Sequence, residues 1–144
     1  MRRILKYFYI LFFSILLLQA CDNQAIEDGI PLVIVNETIN LNNYQYQSLN
    51  FIGGYAYLNA GVRGIIIYRQ SLNEYIAIER NCTFQPLDKC ADVSVDQSTL
   101  FLLDSCCNST FDFNGFPTGG PASLPLRQYR TILNANLLTI TNEF

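Results

Sequence analysis

The chain contains no histidine among its 144 residues. This absence excludes a Ser-His or Cys-His nucleophile pair, a zinc ion with histidine ligands and a haem with a histidine ligand. Asp104 and Asp112 lie near a pair of cysteines, but loop aspartates are better explained by local turn hydrogen bonds. We therefore expect no catalytic residues and no enzyme activity.

Basic residues are also scarce, with nine Lys and Arg against twelve Asp and Glu. Three of the nine, Arg2, Arg3 and Lys6, lie at the start of the chain. If residues 1–20 are removed, six basic residues remain against twelve acidic ones, a formal charge of −6. No cluster of Lys or Arg is left in the sequence, so we expect no nucleic-acid or anionic-lipid surface.

A long apolar run covers residues 7–18 and contains no charge. As a helix it would be about 18 Å long, too short for the ~20 residues of a membrane span. Because it follows the basic start of the chain, it is typical of the apolar region of a secretory signal peptide.

The residues that follow, Leu18, Gln19, Ala20 and Cys21, resemble the bacterial lipobox, in which the peptide is cut before a lipidated cysteine. Residues 1–20 are then a lipoprotein signal peptide, and residues 21–30 a lipidated cysteine with a polar, flexible tether. An ordinary secretory signal with a chance cysteine after Ala20 is the alternative. Two or three acyl chains hold a protein firmly at a membrane. We expect a periplasmic or outer-membrane lipoprotein of the cell envelope, with the membrane and an envelope protein as candidate partners.

Beyond the tether, short apolar runs rich in β-branched and aromatic residues alternate with Gly, Asn, Asp and Pro. These runs predict strands at residues 31–40, 55–58, 64–69, 74–80, 93–95, 100–103, 127–133 and 137–141. Residues 43–49 can form one helical turn, and residues 134–136 a hairpin turn in which asparagine takes a positive φ. The pattern favours a single all-β sandwich or barrel over residues 31–144.

Four cysteines, Cys82, Cys90, Cys106 and Cys107, lie in two segments predicted to be irregular, residues 82–92 and 106–125. An even number of cysteines in an exported chain indicates disulfides rather than free thiols. A bond between the adjacent cysteines would close a strained ring, which leaves two pairings. These are 82–106 with 90–107, and 82–107 with 90–106. Either pairing joins the two segments, and each bond contributes about 3 kcal/mol.

Several segments together resemble the Rieske iron–sulfur family. Residues 79–84 (ERNCTF) are similar to its first cluster box, and residues 106–112 (CCNSTFD) to its second. Residues 120–122 (GPA), 125–126 (PL) and Tyr129 are similar to the tail that follows. The resemblance covers roughly residues 53–141 and implies a small antiparallel sandwich or barrel with two cysteine-bearing loops.

The resemblance also implies where the ligands of a two-iron two-sulfur (2Fe–2S) cluster would lie. A Rieske centre uses two cysteines on one iron and two histidines on the other. Cys82 and Asp104 stand at the two cysteine positions, and Phe84 and Cys107 at the two histidine positions. Phenylalanine has no ligand atom, so we expect no standard cluster, and therefore no cofactor and no metal.

Some members of the family carry a disulfide between the two boxes, at places similar to Cys90 and Cys106. The resemblance therefore implies a Cys90–Cys106 bond. Cys82 and Cys107 would then face each other across the place of the lost cluster, and we expect a second bond between them. On this reading the domain has a non-catalytic structural, binding or accessory role in a membrane-associated assembly.

Two alternatives remain from the sequence. The first is an electron-transfer module with an atypical iron–sulfur cluster or metal held by Cys82, Cys107 and Asp104, with Cys90 or Cys106 as a fourth ligand. The second is a thiol-redox partner that uses one cysteine pair.

Overall fold

The computed structural model describes residues 29–143. The expected signal peptide at residues 1–20, the lipidated Cys21 and the tether up to residue 28 lie outside the described residues. Within residues 29–143, no helix is long and apolar enough to cross a membrane.

In the described part of the chain, ten strands form two sheets, with the strand orders β1-β10-β9-β4-β3-β2 and β5-β6-β7-β8. The strands are β1 (Asn36–Asn40), β2 (Tyr55–Leu58), β3 (Ile65–Arg69), β4 (Tyr75–Glu79), β5 (Val93–Val95), β6 (Leu102–Asp104), β7 (Ser109–Phe111), β8 (Pro117–Gly119), β9 (Gln128–Asn134) and β10 (Leu137–Thr141). A 3-10 helix, Tyr44–Asn50, precedes β2. Neighbouring strands pair antiparallel throughout. The predicted all-β fold is confirmed.

The structure differs from the sequence prediction at three places. The first strand begins at Asn36 rather than at residue 31, because the Val35 N–H donates to the side chain of Asn142 instead of to a partner strand. Residues 106–125 contain β7 and β8, which are too short, at three residues each, to show an alternating pattern. In the hairpin at residues 134–136 it is Ala135, not an asparagine, that takes the positive φ of 51°.

Strand β3 is buried on both faces. Ile65 and Ile67 pack into a core that the six-stranded sheet and the 3-10 helix enclose. Ile66 packs into a second core, which lies between the two sheets and contains Cys82. Successive side chains of a strand point to opposite faces, so the GIIIYR segment forms a wall shared by both cores. Because Cys82 packs in the second core with Ile66, β3 supports the cysteine-bearing end of the domain.

The last residue of β4, Glu79, is fully buried and accepts four hydrogen bonds. Its Oε2 accepts from the Val62 N–H at 2.8 Å and from the Tyr129 hydroxyl at 2.7 Å. Its Oε1 accepts from the N–H groups of Arg63 and Asn81, at 2.9 and 3.2 Å. One carboxylate thus joins the turn after β2, strand β9 and the segment that carries the first cysteine.

Burial and the hydrogen bond to Glu79 hold the pKa of Tyr129 well above its usual range. The Tyr129 hydroxyl therefore remains a donor to Glu79 at any physiological pH.

We predict that Glu79→Gln lowers the free energy of unfolding by about 2–4 kcal/mol, since a side-chain amide nitrogen cannot accept a hydrogen bond and leaves buried donors unpaired. Glu37→Gln on β1 is the matched control, because Glu37 is exposed, and it should change stability by less than about 0.5 kcal/mol. Urea denaturation of both variants measures the difference. Equal midpoints would contradict the role given to Glu79.

Candidate functional site

Two loops meet at one end of the domain. Loop 1 (residues 80–92) connects β4 to β5 and carries Cys82 and Cys90, and loop 2 (residues 105–108) connects β6 to β7 and carries Cys106 and Cys107. Cys90 and Cys106 form a disulfide, with their Cα atoms 5.6 Å apart. The predicted bond between the loops is therefore present.

Loop 1 is held from inside by Arg63, which the sequence analysis did not single out. The Arg63 Nε donates to Asn81 Oδ1 at 2.7 Å, and its Nη1 donates to the Lys89 carbonyl at 2.8 Å. Its Nη2 donates to the Asp88 carbonyl. The guanidinium thus donates to two adjacent carbonyls of the loop, and the Asp88 carbonyl also accepts from the Ala91 N–H within the loop. A lone arginine in a glycine-bounded turn gives no sequence signal for this function.

The segment at residues 120–124 lies against the junction of loop 2 and β7 and also contacts loop 1. A Cβ at Gly120, whose φ is +80°, would lie 2.5 Å from Ser109 Cα, so only glycine allows this approach. The Ala122 N–H then donates to Ser109 Oγ at 3.0 Å. Thr83 in loop 1 donates to the Leu124 carbonyl at 2.8 Å. Both loops are thus fastened to the same segment.

The described chain starts beside loop 1. Gly29 lies so close to Pro86 that a Cβ at residue 29 would be 3.1 Å from Pro86 Cγ. Arg127 donates to the carbonyls of Ile30 and Pro31, both at 2.8 Å. The first residues of the domain are therefore fixed at its cysteine-bearing end.

Three potential ligand groups converge between the loops. Cys82 Sγ, Cys107 Sγ and a carboxylate oxygen of Asp104 lie within 4.8 Å of one another. Cys82 and Asp104 are fully buried, and Cys107 is half-buried. These are three of the four positions that the resemblance assigned to cluster ligands, and the structure brings them together.

The fourth such position, Phe84, is half-buried and packs against the core that contains Cys82. Its side chain offers no ligand atom, but its backbone N–H donates to the Cys82 sulfur.

The expected bond between Cys82 and Cys107 is not formed, and this prediction is wrong for the structure. Both residues have free thiols. Each thiol instead contacts Asp104. The Cys107 Sγ lies 3.2 Å from Asp104 Oδ2, and the Cys82 thiol also hydrogen-bonds to the Asp104 side chain.

Burial holds the pKa of the Cys82 thiol well above its usual range, and the hydrogen bond and negative charge of Asp104 raise it further. The Phe84 N–H opposes this effect because it favours the thiolate. Cys82 is therefore a neutral thiol at physiological pH. A reactive redox thiol needs the opposite environment, one that lowers its pKa.

The residues at this site do not fit a Rieske 2Fe–2S cluster. Such a cluster needs four ligands, and Phe84 supplies none. Cys90 and Cys106 are joined in a disulfide and cannot replace the missing ligand. Cys82 alone keeps the residue type of the family.

No protein-family model matches the chain, and no curated protein matches it significantly by sequence. Two solved structures share its fold. The plasma membrane Rieske protein PetC3 from the cyanobacterium Synechocystis PCC 6803 is 16% identical, with a TM-score of 0.54 over 76% of this chain and 99% of that one. The ferredoxin of carbazole 1,9a-dioxygenase from Nocardioides aromaticivorans IC177 is 17% identical, with a TM-score of 0.50 over 78% of this chain and all of that one. The domain is therefore Rieske-like in fold.

We predict three levels of thiol reactivity, which alkylation and peptide mapping of the full chain can resolve. Cys82 should resist alkylation in the folded protein, since it is fully buried. After denaturation without reductant, Cys82 and Cys107 should both be labelled. Cys90 and Cys106 should be labelled only after reduction. Recovery of a peptide that links Cys82 to Cys107 would contradict the free-thiol arrangement.

Proposed function

We propose that this chain is a lipid-anchored cell-envelope protein whose Rieske-like domain carries no 2Fe–2S cluster and serves as a non-catalytic binding or accessory module. The observation that carries the proposal is the set of residues at the four cluster positions. Phe84 has no ligand atom, and an aspartate and a cysteine stand where the family has a cysteine and a histidine. A domain with these residues keeps the shape of an electron carrier without its cluster.

The two other functions considered for this chain have less support. An atypical cluster held by four protein ligands needs a fourth ligand besides Cys82, Cys107 and Asp104, and both remaining cysteines of the domain form the Cys90–Cys106 disulfide. A thiol-redox function needs an activated thiolate, whereas burial and Asp104 keep the Cys82 thiol protonated. Both arguments favour a binding role over a redox role.

The membrane location rests on the sequence at residues 18–21. A cysteine directly after a small residue, at the end of a short apolar segment, is what lipoprotein processing requires. The acyl chains on Cys21 would hold the protein at the membrane, since each buried methylene contributes about 0.8 kcal/mol.

The cluster proposal is tested on the full chain, produced with its own leader in a bacterial host and extracted in mild detergent. We expect a colourless protein without stoichiometric iron or acid-labile sulfide. A brown protein with about two iron and two sulfide per chain would overturn the proposal. The far-ultraviolet spectrum should show a folded β protein, so that a missing cluster is not mistaken for misfolding.

The anchor has its own test. Cys21→Ser should abolish the mass increase from acylation and move the protein out of the membrane fraction. Cys107→Ser is the matched control, because it removes a thiol of the domain and leaves the lipobox intact. If Cys21→Ser remains in the membrane fraction to the same extent as the control, the chain is not anchored through Cys21.

A further inference from the structure

We propose that Cys82, Asp104 and Cys107 form a binding site for a single divalent metal ion of the zinc type. The inference rests on the proposed function, because a 2Fe–2S cluster would occupy the same space. It goes further by naming the class of ligand that this cluster-free domain takes.

The geometry of the three groups is close to that of a zinc site. In a tetrahedral site with zinc–sulfur bonds of about 2.3 Å, two sulfurs lie about 3.8 Å apart. The three ligand atoms here already lie within 4.8 Å of one another. The widest of these separations therefore exceeds the sulfur–sulfur spacing of a zinc site by no more than about 1 Å.

The charge of the site also favours a cation. Asp104 is fully buried, and a buried carboxylate is costly unless it is paired or well hydrogen-bonded. Its donors are the Cys106 N–H at 2.8 Å and the thiols of Cys82 and Cys107. None of these donors is a cation, and thiols are weak donors.

Metal binding conserves the charge of the site. Before binding, each sulfur carries a hydrogen that it donates to the Asp104 carboxylate. As each metal–sulfur bond forms, an S–H bond breaks and the proton goes to solvent. The bound site then holds a carboxylate, two thiolates and a divalent ion, so its net charge of −1 does not change. No group is oxidised or reduced.

The surrounding hydrogen bonds orient each ligand. The Phe84 N–H donates to the Cys82 sulfur, and this bond suits a thiolate better than a thiol. The Cys107 thiol donates to Ser109 Oγ at 3.1 Å, and Ser109 Oγ also accepts from the Ala122 N–H. When the thiol loses its proton on metal binding, the Ser109 hydroxyl can turn its own hydrogen toward the thiolate. Such outer contacts typically contribute 10–100-fold to metal affinity.

The type of ligand selects the metal. Two thiolates exclude magnesium and calcium, which take oxygen ligands, and the carboxylate disfavours copper(I), which prefers softer donors. Zinc accepts both sulfur and oxygen. Three protein ligands leave the fourth position for water or for a donor from a partner protein.

The test uses the full chain in detergent, freed of metal by a chelator and kept reduced at Cys82 and Cys107. We expect one equivalent of Zn²⁺ to bind in a competition titration with a chromophoric chelator. Co²⁺ in place of Zn²⁺ should give a thiolate-to-cobalt charge-transfer band. Cys82→Ser and Cys107→Ser should each weaken Zn²⁺ binding at least about 100-fold, and Asp104→Asn at least about 10-fold.

Asp112→Asn is the matched control, because Asp112 accepts turn hydrogen bonds from Asn114 and Phe116 and is not part of the site. Its zinc affinity should equal that of the unmodified chain. If the colourless, reduced protein binds no zinc, or if the three site variants bind it as tightly as the control, the inference is overturned and the proposed function stands. Stoichiometric iron and sulfide would instead overturn the proposed function.

Discussion

The Glu79 carboxylate is the group on which the geometry of the cysteine end depends. It accepts hydrogen bonds from three backbone amides and one phenol, and these donors belong to three separate parts of the structure. Through Asn81 it fixes the residue next to Cys82, and through the turn at residues 61–64 it fixes the backbone of Arg63, whose side chain supports loop 1. The site is therefore held in place from inside the sheet, and not by the disulfide alone.

The two buried carboxylates of the domain differ in how they are satisfied. Glu79 has four strong N–H and O–H donors, so it is a structural group. Asp104 has one amide and two thiols, which leave it as the less satisfied of the two. A thiol is a weaker donor than an amide or a phenol. Asp104 is therefore the better placed of the two carboxylates to bind a metal ion, as we propose.

Much of the fold was predictable from the sequence, because its signals are local. The GIIIYR segment predicts a strand at residues 64–69, and β3 (Ile65–Arg69) is that strand. The Cys90–Cys106 bond followed from resemblance to a family, not from spacing, which left two pairings open. Strands β7 and β8 could not be predicted, because three-residue strands are defined by their partners rather than by their own pattern.

The state of the candidate site was harder to predict. Four cysteines in an exported chain suggested two disulfides, and the structure contains one. The two remaining thiols contact Asp104 instead of forming a bond with each other. In the sequence Asp104 stands 22 residues after Cys82, and nothing local indicates that the two side chains meet. Arg63 and Glu79 were missed for the same reason, since their importance depends on contacts between distant segments.

The contact between Gly29 and Pro86 has a consequence for the partners of the domain. If Cys21 is anchored as we propose, the seven residues 22–28 can span at most about 25 Å when fully extended. Because the described chain starts at loop 1, the length of this segment would limit the distance between Cys82 and Cys107 and the lipid headgroups. A partner embedded in or attached to the same bilayer meets this end of the domain at the high effective concentration of tethered molecules, which is millimolar for short linkers. Even a partner with low affinity could then bind at this end of the domain, whereas a protein diffusing freely in solution would need a higher affinity.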